Sequence, residues 1–194
     1  MQKEVTAARV LEAARDEFER VGFEAANVRA IARRAAVSPG TVIHHFGDKH
    51  ELLHAALFES LDAALKQGVD VPADDGLEDR LDHLAQTVFT EYRRRPRLSR
   101  TLLKEALFAD GDWARRFAAQ TGAVHAAIEA WGRHEVAEGR LPRRFDARSF
   151  ALAWLSYFYF ALIAWAQGQH RSPVRLVANL TAQHLLPWKE WRRR

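Results

Sequence analysis

The chain has 194 residues, of which 48% are hydrophobic and 28% are charged, and its formal net charge at pH 7 is +4. This composition is ordinary for a soluble globular protein, and the length suits one compact domain or a small domain fused to a larger one. Because the chain contains no cysteine, it can form neither disulfides nor thiolate metal sites. The N-terminus, Met1-Gln2-Lys3-Glu4-Val5, lacks the apolar stretch of a signal peptide, so the expected compartment is the cytoplasm.

Helical periodicity runs through the first part of the chain. Apolar residues recur every three or four positions, and no segment alternates as a strand would. The first helix is expected from about Val5 to Val21, with a stop at Gly22. Good N-cap residues then predict the starts of three more helices, at Asn27, Ser38 and Asp48.

One linker is obvious, the stretch 68–76, which is rich in Asp, Gly and Pro. After it, helical periodicity predicts five more helices, near residues 77–94, 96–109, 112–138, 146–168 and 173–187. The sequence therefore predicts an all-α fold of about nine helices. Its expected organisation is an N-terminal three-helix domain (1–49), a connecting helix and linker (50–76), and a larger helical domain (77–194).

Two short helices joined by a tight turn, as expected here for helices 2 and 3, are typical of a helix-turn-helix unit that lays its second helix in the DNA major groove. On helix 3 (39–46), Val42 and Phe46 are the natural core-facing pair. Hydroxyl, imidazole and aliphatic groups on the opposite face suit phosphates, purine acceptors and thymine methyls respectively. That open face carries Thr41 and His44, with Ile43 and His45 at its margin.

The candidate DNA contacts extend beyond helix 3. A cation at the start of helix 2 and another at the start of helix 4 can each neutralise a phosphate. An isoleucine on the open face indicates that this face meets a partner surface and not solvent. The alternative is that Ile43 packs against helix 1 or helix 2. The predicted DNA-binding residues are Arg29, Ser38, Pro39, Gly40, Thr41, Ile43, His44, His45 and Lys49.

Two runs carry a family resemblance, residues 22–32 (GFEAANVRAIA) and residues 36–52 (AVSPGTVIHHFGDKHEL). In spacing and residue types they resemble the TetR family of bacterial regulators. The resemblance implies a three-helix DNA-binding domain, helix 4 as a connector, and a variable helical domain (77–194) that dimerises and usually binds an effector. It also implies that the last two long helices pair across a homodimer as a four-helix bundle.

The chain departs from the family pattern at two positions of helix 3. Family members often carry a tyrosine where this chain has Ile43, and an aromatic residue where it has His45. Ile43 removes a phenolic hydroxyl that would commonly touch the DNA backbone, whereas His45 can still donate to phosphate, more strongly when protonated. We therefore expect an altered operator preference or weaker backbone anchoring, with DNA binding retained.

A second motif points to a different chemistry. The run His50-Glu51-Leu52-Leu53-His54 matches H-E-x-x-H, in which two histidines on one helical face hold Zn²⁺ beside a general-base glutamate. The extended zinc pattern fails, because Leu57 and Ser60 stand where glycine and a third histidine are needed. The favoured interpretation is the start of helix 4, with the leucines packed and His50, Glu51 and His54 solvated. A zinc hydrolase is the alternative. We predict no catalytic residue, no metal ligand and no cofactor.

Large aromatic residues are frequent after the linker and suit a pocket for an apolar or aromatic ligand. His125, at helical spacing from Thr121 and Ile128, is a candidate polar anchor. Most of these aromatic side chains are expected to belong to the core or to a dimer interface. The predicted ligand-binding residues are Phe89, Tyr92, Leu103, Phe117, His125, Trp154, Tyr157 and Phe158.

Residues 150–166 contain no charge and reach the lower length limit of a membrane span. A helix buried by its own core on one face and by a partner subunit on the other has the same composition. We favour this second interpretation, so no membrane association is predicted, and a membrane-anchored adaptor is the alternative. The basic end of the chain, residues 188–194, is expected to be a solvated terminus.

Together these features predict a sequence-specific transcriptional regulator. It is expected to be a homodimer that binds a near-palindromic operator in double-stranded DNA, acts as a repressor, and is released by a small apolar or aromatic effector. A constitutive DNA-binding dimer without an effector is the alternative.

Overall fold

The computed structural model describes residues 2–72, 75–108 and 110–189, and every regular element within these ranges is an α-helix. This confirms the predicted all-α fold of about nine helices. Residues 190–194 of the basic end lie outside the described ranges. The helices are α1 (Gln2–Val21), α2 (Val28–Arg34), α3 (Pro39–Phe46), α4 (Lys49–Val69), α5 (Leu77–Arg94), α6 (Pro96–Leu107), α7 (Gly111–Ala137), α8 (Ala147–Ala166) and α9 (Pro173–Lys189).

The contacts divide the chain into two compact units, and the division falls within helices α4, α5 and α7. The described residues up to Asp62 and from Glu91 to Phe117 form the first unit. Those from Ala63 to Thr90 and from Ala118 onward form the second unit.

The core of the first unit is built on one face of α1. Val10, Ala14 and Phe18 follow one another at four-residue spacing and are at most 1% exposed. Ile31 and Ala32 of α2 are buried to the same degree. Because burial of apolar area is the main stabilising contribution in such a small unit, this stripe fixes where α2 and α3 can lie.

The N-terminus of α6 is held against α1 by a carboxylate. The Glu19 side chain accepts hydrogen bonds from the backbone N–H groups of Leu98 (2.7 Å) and Arg97 (3.2 Å). Arg95, the residue before α6, donates to Asp16 at 3.0 Å and also pairs with Glu12. A negative charge at a helix N-terminus is favourable because the first N–H groups lack intrahelical partners. Glu19 therefore caps a helix that has no side-chain cap of its own.

The second unit has α8 at its centre. Asp146 caps the helix by accepting from the N–H groups of Arg148 and Ser149, both at 3.1 Å. Phe150 and Trp154 are each 1% exposed, and α9 lies alongside, where Tyr157 Oη and His184 Nδ1 are 2.8 Å apart.

Helix α8 is long and apolar enough to cross a membrane by length and composition, and 44% of its most apolar stretch is buried inside the protein. A core helix of a soluble protein meets the same criteria, so this one helix is not evidence for a membrane. The apolar composition has a structural cause, because α8 packs against α9.

Two glycines of α7 offer a matched test of packing. A Cβ at Gly132 would lie 2.9 Å from the Cβ of Ala147 and 3.3 Å from the Phe145 ring, whereas one at Gly122 would meet nothing within 4 Å. Alanine favours a helix over glycine by about 1 kcal/mol, but overpacking costs about 1–3 kcal/mol. Urea denaturation should therefore show that Gly122→Ala raises the free energy of unfolding by about 0.5–1 kcal/mol and that Gly132→Ala lowers it. Equal effects of the two changes would contradict close packing at Gly132.

Candidate nucleic-acid interface

The α2–turn–α3 unit is fixed by two side-chain caps. Asn27 Oδ1 accepts from the N–H of Ala30 at 2.8 Å, and Ser38 Oγ accepts from the N–H of Thr41 at 3.0 Å. Between the helices Ala36 takes a left-handed conformation, with φ of 51°. Such a conformation is uncommon for alanine, but it lets the chain reverse direction within a few residues.

Helix α3 presents one face to the core and the other to solvent. Val42 is 1% exposed and anchors the helix, while Phe46 is half-buried. Ile43 is 47% exposed, so it does not pack into the core against α1 or α2. His44 is exposed beside it, whereas Thr41 and His45 are half-buried. The exposed surface of α3 thus combines an aliphatic group with a hydrogen-bonding imidazole.

The residues at the start of α3 lie at its exposed end. Ser38, Pro39 and Gly40 are all exposed, and the hydroxyl oxygens of Ser38 and Thr41 are 2.9 Å apart. Gly40 leaves open space, since an added Cβ would meet only Ser38 Oγ, at 3.6 Å. A close backbone approach by a partner is therefore sterically open at this end of α3.

Exposed arginines flank α3 on the preceding helix. Arg29 is exposed as expected, and Arg33, one turn later on the same face of α2, is exposed as well. Arg33 was not among the predicted contacts, although its four-residue spacing from Arg29 could have identified it. Two cations on one face of α2 make this surface suited to phosphate.

Lys49 has a second role that its sequence position does not reveal. Its ammonium group donates to the backbone carbonyls of Phe23 (3.0 Å), Glu24 (3.3 Å) and Ala26 (3.3 Å). It also lies 4.4 Å from the centroid of the Phe23 ring, where a cation–π attraction adds to the hydrogen bonds. Lys49 thus ties the start of α4 to the loop after α1, and its contact with phosphate stays a prediction.

Asp48 caps α4, as its position predicted. Its Oδ1 accepts from the N–H groups of Glu51 (2.9 Å) and His50 (2.8 Å). The hydrogen bond from Glu51, supported by that from His50, holds the pKa of Asp48 below its usual range. Since these bonds favour the ionised form, the cap is complete at neutral pH.

The Asp48 cap should give a pH-dependent contribution to stability. A carboxylate with a lowered folded-state pKa stabilises the protein above its unfolded-state pKa, and this contribution is lost as pH falls through the folded-state pKa. We expect Asp48→Ala to lower the free energy of unfolding by about 1 kcal/mol at neutral pH. In denaturant titrations, the difference between variant and wild type should shrink below about pH 4. A difference independent of pH would contradict capping by the ionised group.

The H-E-x-x-H residues have contacts within the first unit. Leu52 and Leu53 are fully buried, as expected. Glu51 accepts a hydrogen bond from Trp113 Nε1 at 3.0 Å. The expectation that His54 is solvated was wrong. Its side chain is only 16% exposed, and its Nε2 lies 3.7 Å from Glu105 Oε2. Its ring centroid lies 5.2 Å from that of Trp113.

The polar side chains of the H-E-x-x-H motif therefore make aromatic and electrostatic contacts with neighbouring residues. His50 stacks edge-on against Phe23, with centroids 4.8 Å apart. Within the part of the chain that the structure describes, no cluster of three His, Asp or Glu side chains has the geometry of a metal site. The zinc-hydrolase alternative gains no support from these contacts.

The predicted ligand-binding residues fall in both units. Tyr92, Leu103 and Phe117 belong to the first unit and are 6–7% exposed. In the second unit Phe89, Trp154 and Phe158 form an aromatic cluster, with centroid distances of 4.7 Å (Phe89–Phe158) and 5.5 Å (Trp154–Phe158). The second unit also contains His125 and Tyr157. Ligand contact by any of the eight stays a prediction.

Comparison with known proteins gives a consistent picture of the N-terminal part. Residues 10–56 match the model of a family described as bacterial regulatory proteins, tetR family. Over 60 residues the chain is 42% identical to the HTH-type transcriptional regulator UidR of Escherichia coli, which covers 31% of each protein. Over 106 residues it is 30% identical to the HTH-type transcriptional repressor KstR of Rhodococcus jostii. This alignment covers 55% of this chain and 50% of KstR.

The chain thus matches between about a third and a half of the length of these curated relatives. A crystal structure of a TetR transcription regulator from Haloarcula marismortui superposes with a TM-score of 0.78 at 16% identity, and it covers 94% of this chain and 97% of that one. The similarity to this crystal structure concerns the fold alone.

Proposed function

We propose that this chain, which belongs to the TetR family of DNA-binding transcriptional regulators, is a dimeric repressor that leaves its operator when a small apolar or aromatic effector binds. The N-terminal domain (1–49) would read DNA, helix α4 and the following linker (50–76) would connect, and the remainder (77–194) would dimerise and bind the effector. Such a regulator would act in the cytoplasm, where its operator is.

The exposed face of α3 is the main structural support for the DNA-binding role. Val42 anchors the helix in the core, and this leaves Ile43 and His44 exposed side by side. A side chain such as Ile43 gains from contact with a thymine methyl group, and the adjacent imidazole can donate to a purine acceptor or a phosphate. Arg29 and Arg33 supply the positive charge that anchors the unit to the backbone.

Dimerisation is supported by apolar side chains on the outer surface of the last two helices. Leu152 and Phe160 of α8 are 55% and 56% exposed, and Leu186 of α9 is 47% exposed. A face of this kind on two packed helices suits a second copy of the chain. Two copies would present two α3 helices to successive turns of DNA, about 34–36 Å apart, and would favour a near-palindromic operator.

Release by an effector is supported by the aromatic cluster of the second unit. An apolar ligand that binds there only in a conformer unable to bind the operator would shift the population away from DNA. The relative KstR is a transcriptional repressor, and the same sign of regulation is proposed for this chain.

Selection of bound sequences from a random duplex library, followed by gel shift of the enriched site, tests this function. We expect a near-palindromic consensus and an affinity that falls linearly with the logarithm of salt concentration, because phosphate contacts release counterions. No sequence preference at moderate salt would overturn the proposal. An enriched site that no apolar ligand releases would favour the constitutive dimer instead.

A further inference from the structure

Two buried ring nitrogen atoms of the second unit have no hydrogen-bond partner among the described residues. One is Nε1 of Trp154, whose side chain is 1% exposed, and the other is Nε2 of His125. Buried polar atoms are nearly always paired, because an unpaired one forfeits its hydrogen bonds with water. Two such atoms in one unit point to a bound group that these residues would pair with.

The register of α7 against α8 brings the two residues to the same level. Thr121 Oγ1 lies 3.1 Å from Tyr159 Oη, and a Cβ at Gly132 would lie 2.9 Å from that of Ala147. The helices are therefore antiparallel. Counting from the first pair places position 125 opposite 155, and counting from the second places it opposite 154.

Both residues also lie on the facing stripes of these helices. His125 is one turn from Thr121 and two turns from Gly132, which both contact α8. Trp154 is two turns from Ala147, the residue that approaches Gly132. Since residues four and seven apart share a helical face, both residues lie on the faces along which α7 and α8 meet, and this meeting of the two helices is called the α7–α8 seam.

The surroundings of the indole are apolar and aromatic. Trp154 stacks on Phe158 at an interplanar angle of 21°, and Phe158 in turn contacts Phe89 of α5. One turn before Phe89, Ala85 is fully buried and contributes only a methyl group. An apolar aromatic ligand matches these surroundings, while a buried ion would lose its hydration without compensation.

The tautomer of His125 is assigned from the carboxylate beside its other nitrogen. Glu129 Oε2 lies 3.8 Å from His125 Nδ1, so the hydrogen of the neutral imidazole is assigned to that nitrogen. Nε2 is then an acceptor, while Trp154 Nε1–H is a donor only. One hydroxyl group satisfies both, because its oxygen accepts from the indole and its hydrogen is donated to the imidazole.

We propose that the α7–α8 seam binds the hydroxyl group of a neutral phenol-type ligand between Trp154 and His125. The inference rests on the proposed function for its biological meaning, since this ligand would be the effector. It narrows the effector class from apolar or aromatic compounds to those with one hydroxyl group on an aromatic ring. The His125 side chain is 19% exposed, so this part of the seam lies near the surface.

Three matched probes test the site in the full-length protein: para-cresol, its methyl ether and para-xylene. The ether keeps the acceptor and loses the donor, and xylene loses both. Calorimetry should show para-cresol binding about tenfold more tightly than para-xylene, because a site built around a hydroxyl rejects analogues that lack it. With isotope-labelled tryptophan, NMR should show para-cresol moving the indole N–H resonance that is missing in Trp154→Phe.

Variants assign the two hydrogen bonds separately. His125→Phe should remove the preference for para-cresol over its ether, and Trp154→Phe should remove the preference for the ether over para-xylene. Trp131→Phe is the control, because Trp131 lies on α7 about two turns from His125, and it should leave all three affinities unchanged. If Trp154→Phe does not fold, the three affinities of the wild type and of His125→Phe still decide.

Equal affinities for para-cresol and para-xylene, or no binding of any probe, would overturn the hydroxyl site, and a bound water would then account for the two nitrogens. Operator binding is measured separately without probe. Loss of sequence-specific DNA binding would refute the regulator and leave the site standing. Tight para-cresol binding that does not release the operator would support the site and refute its role as the effector site.

Discussion

Replacing Ile43 with glutamate should lower operator affinity by about a hundredfold or more while the free energy of unfolding changes by less than about 0.5 kcal/mol. The side chain is 47% exposed on α3, so a glutamate there can point into water in the free protein. On DNA it would face phosphates, and like charges brought together at an interface cost several kcal/mol. The aliphatic contact with a base is lost as well.

Titration of the selected operator in gel shifts measures this loss, and urea denaturation measures stability. Leu107→Glu is the matched control, because Leu107 is an equally exposed apolar residue (50%) on α6 of the same unit. It should retain wild-type operator affinity. Similar losses in the two variants would mean that added negative charge alone weakens binding, and that Ile43 lies away from the DNA.

The features of this interface that the sequence predicted are local in the chain. The caps of α2, α3 and α4 come from Asn27, Ser38 and Asp48, and each bonds to an N–H two or three residues away. The inward direction of Val42 follows from helical spacing on a helix of 8 residues. Such interactions depend on neighbours that the sequence itself displays, so propensity and spacing suffice to place them.

Features that depend on distant residues could not be predicted in this way. The cap of α6 comes from Glu19, 79 positions before Leu98, and no local pattern links a carboxylate on α1 to that helix. His54 reads as a solvated residue on an amphipathic helix, but Trp113 covers it. The Lys49 ammonium likewise bonds to the carbonyl group of Phe23, 26 positions earlier in the chain, which its sequence position does not reveal, and its contact with phosphate stays a prediction.

The largest effect in the second unit is expected from charge placed on the outer face of α8. Leu152 and Phe160 lie two turns apart with Ser156 between them, and all three are exposed. If this face joins two copies, Leu152→Glu with Phe160→Glu brings four carboxylates into one apolar interface, where charges lose their hydration. The double variant should therefore be a monomer that is still folded, since neither side chain belongs to the core.

Sedimentation equilibrium should show the mass falling from twice the chain mass of 22.1 kDa to a single chain. Operator affinity should fall by about a hundredfold, because the second half-site is no longer bound intramolecularly. Phe108→Glu is the control, since Phe108 is 83% exposed and lies outside α8 and α9. A double variant that stays dimeric at micromolar concentration would place the dimer interface elsewhere, and one that is monomeric yet binds the full operator normally would show that dimerisation does not set the affinity.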